Sequence, residues 1–276
     1  MPEGHVIHRL ADALTGTFGG RPVAVSSPQG RFDAAPLDGA VLERGEAVGK
    51  HLFIDFATGD VVHIHLGLIG KLNLEPYAPP RGQVRLRIDD GVTAADLRGP
   101  QWCRTLTPAE RDAVVEASGP DPLRADADPG RGYARLRRSG KPIAALLMDQ
   151  RVAAGVGNIF RAEVLYRHRL DPTVPGNRID ERTWMVLWQD LVGLMNYAVE
   201  QGRIDTVRDV HGPEAQGRDP RVDRHGGEVY VYRRADLPCH VCGTPVSTAD
   251  LAGRNLYWCG VCQPPGASGV VEVPGS

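Results

Sequence analysis

A chain of 276 residues with 42% hydrophobic content and a net charge of −2 can build one large or two medium domains around a packed core. No run reaches the roughly 18 uninterrupted apolar residues of a membrane span, and the start, carrying His5, His8 and Arg9, lacks the order of a secretory signal. A helical membrane protein is excluded and a cytosolic one expected, while the slight acidity is an average that can hide a local basic patch.

The chain opens Met1-Pro2-Glu3-Gly4. Removal of the methionine leaves Pro2 as a secondary amine beside a carboxylate. An α-amino group titrates at roughly 7.7–8.0, so a useful fraction is neutral and nucleophilic near neutrality, and attack on a sugar aldehyde carbon yields a cationic iminium that acts as an electron sink. The spacing of Val6, Ile7, Leu10 and Leu14 predicts a helix from His5 to about Thr15. Short, partly alternating runs follow at Val41–Val48, His51–Phe56, Val61–Leu66, Lys71–Leu74 and Gln83–Ile88, punctuated by Thr58-Gly59-Asp60 and Asp89-Asp90-Gly91. They predict a sandwich of antiparallel strands with a docked helix.

From Thr107 the period becomes helical. Thr107-Pro108-Ala109-Glu110 supplies a cap, a first-turn proline and an early acid. Further helices are predicted over Tyr133–Ser139, Ile143–Asp149, Asn158–Arg169 and Asp180–Gln201, the last with an apolar stripe of Trp184, Leu187, Trp188, Leu191 and Leu194. Between Arg131 and Arg169 nine basic residues (131, 135, 137, 138, 141, 151, 161, 167 and 169) face only Asp149 and Glu163, either a solvated surface or a phosphate-binding stripe. Gly155-Val-Gly157-Asn158 joins two apolar helices and puts Asn158 at a helix start, where it serves as an N-cap, an anion ligand or both. Residues 203–227 are polar and read as a long loop, and from Pro264 the composition predicts a disordered tail.

Cys239-x2-Cys242 and Cys259-x2-Cys262, separated by sixteen residues, present two thiolate pairs on tight knuckles. Zn2+ favours four such sulfurs in a tetrahedron; in a cytosolic chain disulfides are disfavoured. One ion with no open position is structural. His240 is a spectator within the first knuckle, Cys103 a small buried hydrophobe, and Arg254 sits at the tip of the intervening hairpin as either a solvated turn residue or a ligand for a partner.

The Met-Pro-Glu-Gly start, Gly49-Lys50-His51, Leu146-Leu-Met-Asp-Gln150 with Gly155-Val-Gly-Asn158-Ile, and the four-cysteine hairpin with Gly253-Arg254 stand in one order. In that order they resemble the formamidopyrimidine-DNA glycosylase/endonuclease VIII family over nearly the whole chain. The resemblance implies an α+β multidomain protein. Its parts would be an N-terminal antiparallel β-sandwich with flanking helices (1–110), a helix–two-turn–helix DNA-binding domain (111–230), a zinc finger (231–263) and a tail (264–276). It implies a monomer acting on damaged DNA in the cytoplasm, nucleoid-associated in a bacterium. The function implied is a bifunctional DNA glycosylase and abasic-site lyase of base excision repair; a non-catalytic binder of damaged or single-stranded DNA is the alternative.

Residue by residue, the resemblance makes Pro2 the nucleophile at C1′, Glu3 the proton shuttle and Lys50 a phosphate contact that assists β-elimination. Asn158 and Arg254 grip phosphates flanking the lesion, and Arg254 is further linked to δ-elimination. Where the family often has proline and a second glutamate, this chain has His5 and Val6. The residues that fill the gap left by an extruded nucleotide map to Leu68, in Leu66-Gly-Leu-Ile-Gly70, and to Arg98; a phenylalanine found in relatives has no counterpart. Pro-Glu-Gly-His and the short 203–230 stretch are most similar to actinobacterial endonuclease VIII-like proteins, which implies oxidised pyrimidines and abasic sites as substrates.

Overall fold

The computed structural model describes residues 2–223 and 227–269. The chain divides into two compact units, Met1–Ser118 and Gly119–Ser276.

The first unit opens with α1 (Gly4–Phe18), whose Ile7, Ala11, Leu14 and Phe18 are buried. Strands β1 (Arg21–Pro22), β2 (Ala24–Ser26), β3 (Val41–Val48), β4 (His51–Phe56), β5 (Val61–His65), β6 (Lys71–Pro76), β7 (Leu86–Asp89), β8 (Thr93–Arg98) and β9 (Trp102–Leu106) follow. They form two antiparallel sheets, in the orders β1-β3-β4-β5-β9 and β2-β7-β8-β6. One apolar cluster joins α1 to both sheets through residues such as Leu42, Ile54, Ile64, Leu86 and Leu97. Helix α1 lies so close on β3 that a Cβ on Gly45 would stand 2.7 Å from the Ala11 carbonyl oxygen, so glycine is required there.

Strands β1, β2, β8 and β9 have no counterpart among the predicted runs: β1 and β2 are only two and three residues long, and the signal of β8 is poor. Thr93–Arg98 is rich in alanine and carries Asp96, residues that favour strands little. Tertiary pairing overrides that: Ala95 and Leu97 enter the core, while Asp96, on the other face and itself buried, pairs with Arg98 (2.8 Å) and Arg87 (3.5 Å). Helix α2 (Pro108–Ala117) has the full reciprocal cap of Thr107 and Glu110. It packs on β5 and β9, so the expected boundary at residue 110 falls inside a helix of the first unit.

In the second unit, α3 (Pro129–Leu136), α4 (Ile143–Leu146), α5 (Asn158–Arg167) and α6 (Glu181–Gln201) enclose a core centred on Trp184, Phe160, Leu187 and Leu191. Asp180 caps α6 by accepting from Thr183 N (2.7 Å), and Gly202, at φ +73°, ends it. The polar stretch after residue 202 contains a short helix, α7 (Pro213–Gln216), and is pinned by Arg218–Glu228 and Arg221–Asp223 ion pairs (2.6 Å each); residues 224–226 lie outside the described residues. Strands β10 (Ser247–Asp250) and β11 (Asn255–Trp258) make the cysteine hairpin. Residues 264–269, expected as part of a disordered tail, instead bond Asp171: Gly266 N donates to its carboxylate (2.7 Å) and Ala267 O accepts from its amide (3.0 Å). Residues 270–276 of that expected tail lie outside the described residues.

Candidate nucleic-acid interface and metal centre

In the first unit, Pro2 precedes Glu3, which occupies the N-cap position of α1 and is 2% exposed. Lys50 is 9% exposed. It sits in a two-residue loop between β3 and β4, closed by the Val48–His51 pair, with Gly49 at φ +59°. Such loops reserve the first position for glycine because a Cβ there strains the left-handed backbone. Ionisable side chains are almost never this buried unless they are paired or functional. His5, also buried, has its imidazole pushed down to about 4, by burial first and then by Arg9 and His8.

Beside Lys50 lies a platform that sequence reasoning missed. His51, His63, His65 and Trp102 come from adjacent strands, and the His65 ring stacks on Trp102 at 4.5 Å. The Arg104 guanidinium donates to His63 Nδ1 (3.4 Å), so the His63 proton sits on Nε2 and is donated to His51 Nδ1 (2.9 Å). Burial and these neighbours push His63 down to about 3 and His51 to about 4, so both are neutral. His65 is also lowered, by burial and then by the Lys50 charge. Its Nδ1 accepts from Gly67 N (3.2 Å), which ties the platform to the turn that follows β5.

That turn closes by Gly70 N donating to Leu66 O (3.0 Å) and presents two apolar side chains, Leu68 (59% exposed) and Ile69 (80% exposed). Leu68 is therefore no part of the core. The pair of apolar residues bracketed by Gly67 and Gly70 is a readable signal for Ile69 as well as Leu68. Arg98 is tethered to Asp96 and to Arg81 O (3.1 Å). Cys103 packs against the core, where burial pushes its thiol up to about 12 and keeps it inert.

In the second unit Asn158 is the first residue of α5, and the cap position belongs to Gly157. The N-cap expectation for Asn158 is therefore corrected. Its side chain instead donates to Asn255 O (3.0 Å), next to Arg254 at the hairpin tip, and accepts from Arg161. Arg161 also reaches Asn255 O (3.1 Å) and Ala144 O (3.3 Å). The structure thus brings Asn158 together with the backbone that carries Arg254.

The basic stripe narrows accordingly. Arg161 is buried, Arg167 makes a two-pronged pair with Asp190 (2.7 and 2.8 Å), and Arg151 pairs with Asp149 (2.8 Å). Exposed basic side chains remain at Arg131, Arg135, Arg137, Arg138 and Lys141. Glu163, counted from sequence as a counter-charge to the stripe, is fully buried and faces a different group of partners. Its carboxylate accepts from the amides of Tyr230, Val231 and Tyr232.

The sulfur atoms of Cys239, Cys242, Cys259 and Cys262 all lie within 4.8 Å of one another. Cys239 to Cys262 is 3.8 Å and Cys242 to Cys259 is 3.5 Å. Sulfurs at ~2.3 Å from a tetrahedral zinc stand close to these separations, so the donor set fits a structural Zn2+. His240 is outside it, its carbonyl bonded by Gln216. No helix among the described residues is long and apolar enough to cross a membrane.

Three segments match known families: residues 1–101 the formamidopyrimidine-DNA glycosylase N-terminal domain, 118–209 the formamidopyrimidine-DNA glycosylase H2TH domain, and 236–265 the zinc finger found in FPG and IleRS. The chain is 48% identical over 271 residues to Endonuclease 8 1 of Mycobacterium tuberculosis, covering 95% of this chain and all of that protein. It is 33% identical to formamidopyrimidine-DNA glycosylase of Methylococcus capsulatus, covering 78% and 79%. The crystal structure of the Thermus thermophilus Fpg protein superposes with a TM-score of 0.73 at 28% identity, covering 96% and 100% of the two chains. A Lactococcus lactis Fpg complex with DNA containing N7-benzyl-Fapy-dG shares the fold, with a TM-score of 0.77 at 20% identity and coverage of 95% and 100%.

Proposed function

The chain belongs to the formamidopyrimidine-DNA glycosylase/endonuclease VIII family of DNA-repair glycosylases, and from that premise we propose a bifunctional enzyme that excises oxidised pyrimidines and cleaves the resulting abasic strand. The observation that carries this reading is the burial of Glu3 and Lys50 in the unit that carries Pro2. Burying two ionisable groups costs folding energy, and buried ionisable groups gather at functional sites.

With Met1 removed, the Pro2 nitrogen lone pair forms a bond to C1′ while the glycosidic C1′–N bond breaks and the base leaves with a proton. Glu3 then protonates O4′ as the C1′–O4′ bond opens, giving the iminium. That cation acidifies C2′, from which a proton is lost as the C3′–O bond to phosphate breaks; Lys50 contacts the phosphate and assists this β-elimination. A second proton is lost at C4′ as the C5′–O bond breaks, releasing the 5′ phosphate with Arg254 holding it, and water hydrolyses the iminium to free Pro2. Asn158 and Arg254 grip the flanking phosphates, a role supported by the bond between Asn158 and the hairpin tip. Leu68, with Ile69 beside it, enters the gap left by the extruded nucleotide, and Arg98 meets the orphaned base. The zinc ion holds the hairpin and takes no part in bond breaking. The protein is a cytoplasmic monomer.

Defined oligonucleotides carrying thymine glycol, 5-hydroxyuracil, 8-oxoguanine or an abasic site test this reading, with base release, the 3′ end and borohydride trapping as readouts. Trapping on the abasic and pyrimidine substrates, lost in Pro2→Gly, is expected. Tight binding with no cleavage of any substrate would leave the non-catalytic binder as the function.

A further inference from the structure

The zinc centre touches a side chain that lies outside the cysteine module. Tyr166, in the last turn of α5, is buried, and its hydroxyl lies 2.9 Å from Cys239 Sγ and 3.8 Å from Cys262 Sγ. We propose that Tyr166 is an outer hydrogen-bond donor to the zinc thiolates and that α5 is the strut that sets the hairpin's position. Metal-bound thiolates carry no proton and only accept, so the phenol donates. Cys239 and Cys262 belong to different knuckles, and one hydroxyl therefore spans the two halves of the centre.

The phenol is held in place for this. Its ring stacks on Tyr230 at 4.5 Å, and the Tyr230 amide is fixed by Glu163, one turn earlier on α5 (2.7 Å). The segment after α5 grips the second knuckle as well. Gln263, buried, accepts from Cys259 N (3.0 Å) and donates to Leu170 O (2.8 Å).

The other end of the helix holds the other end of the hairpin, through Asn158 and Arg161 on Asn255 O. The lengths agree: Asn158 to Tyr166 spans about 12 Å at the helical rise, and Asn255 to Cys259 spans about 13 Å at the strand rise. Helix and strand β11 are thus fastened at both ends over the same distance, which couples the metal to the tip bearing Arg254.

A hydrogen bond to a thiolate withdraws charge from sulfur and steadies the metal-bound form. Tyr166→Phe keeps the ring and removes only the donor. In the full-length protein, competition with a chromophoric chelator is expected to show zinc affinity lowered about tenfold. The sulfur-to-metal charge-transfer band of the Co2+-loaded protein is expected to move to lower energy. Gln263→Met, which breaks the knuckle contacts but spares the sulfur bond, is expected to leave that band in place. Unchanged zinc competition and an unshifted band in Tyr166→Phe would overturn the proposal. A second measurement needs no variant: in the 113Cd-loaded wild-type protein the Tyr166 hydroxyl proton is expected to exchange slowly and to show coupling to cadmium. A rapidly exchanging hydroxyl without that coupling would equally refute it. These readouts depend on the metal centre alone and stand apart from catalysis.

Discussion

Glu163 offers the sharpest test of how the second unit is held together. Its carboxylate is fully buried in the middle of α5; Oε1 accepts from Val231 N (2.9 Å) and Tyr232 N (2.8 Å), and Oε2 from Tyr230 N (2.7 Å) and Thr206 Oγ1 (2.5 Å). Replacement by glutamine turns one acceptor into a donor. The least costly orientation puts the new NH2 on the Oε2 side, where the Thr206 hydroxyl can rotate to accept but the Tyr230 amide loses its partner. A buried donor left unpaired costs about 1–3 kcal/mol, and this sets the expected loss for Glu163→Gln. Glu163→Leu strands all three amides and removes a negative charge that steadies Arg167 and Arg234, so roughly 4 kcal/mol or more is expected. Urea unfolding followed by the fluorescence of Trp184 and Trp188, both in this unit's core, reads the effect, with zinc release as a second probe. The reasoning is wrong if both variants unfold within about 0.5 kcal/mol of wild type, the scatter expected of an uninvolved surface site.

Three further outcomes follow from the same structure. The neutral imidazoles of His5, His51 and His63, held at about 4, 4 and 3, set the acid limit of the first unit. Unfolded they titrate near 6.5, so their stabilisation is complete above about pH 6.5 and is lost as pH falls through 5 toward 3. Amide protection factors in β4 and β5 should fall steeply over that range, and flat protection from pH 7 to 4.5 would contradict it. Arg161→Met removes the buried guanidinium that joins Ala144, Asn158 and Asn255. A loss of about 2–4 kcal/mol and faster exchange at Leu256 and Tyr257 are expected, checked by the same unfolding assay with exchange mapping. Cys259→Ser should unload zinc and weaken DNA binding while the first unit stays folded; metal analysis with normal zinc content and normal affinity would count against it.

Much of this protein was legible before folding was considered. Val41–Val48 and His51–Phe56 form strands with the bounds their alternation suggests, the Thr107–Glu110 cap is made as its spacing implies, and the four cysteines meet. These are local signals, set by side-chain period and by the short reach of a turn or cap, so they survive whatever the distant chain does. What the sequence could not separate was residues of one chemical type with different surroundings. Arg161 and Arg135 look alike in a charge count, yet one is buried on three carbonyl-type oxygens and the other faces solvent. Asn158 looks like a cap and is a link to a strand 97 residues away. Leu68 and Ile69 are of the same apolar type as the core residues, yet they stand out on a turn. Such differences arise from long-range packing, which decides burial and partner for each group and so decides its energy. Sequence alone determined strands β3 to β5, the cap of α2, the metal ligands and the order of the candidate site residues. Tertiary structure decided which charges hold the fold and which remain for a ligand, because desolvation and hydrogen-bond pairing depend on contacts that no local pattern contains.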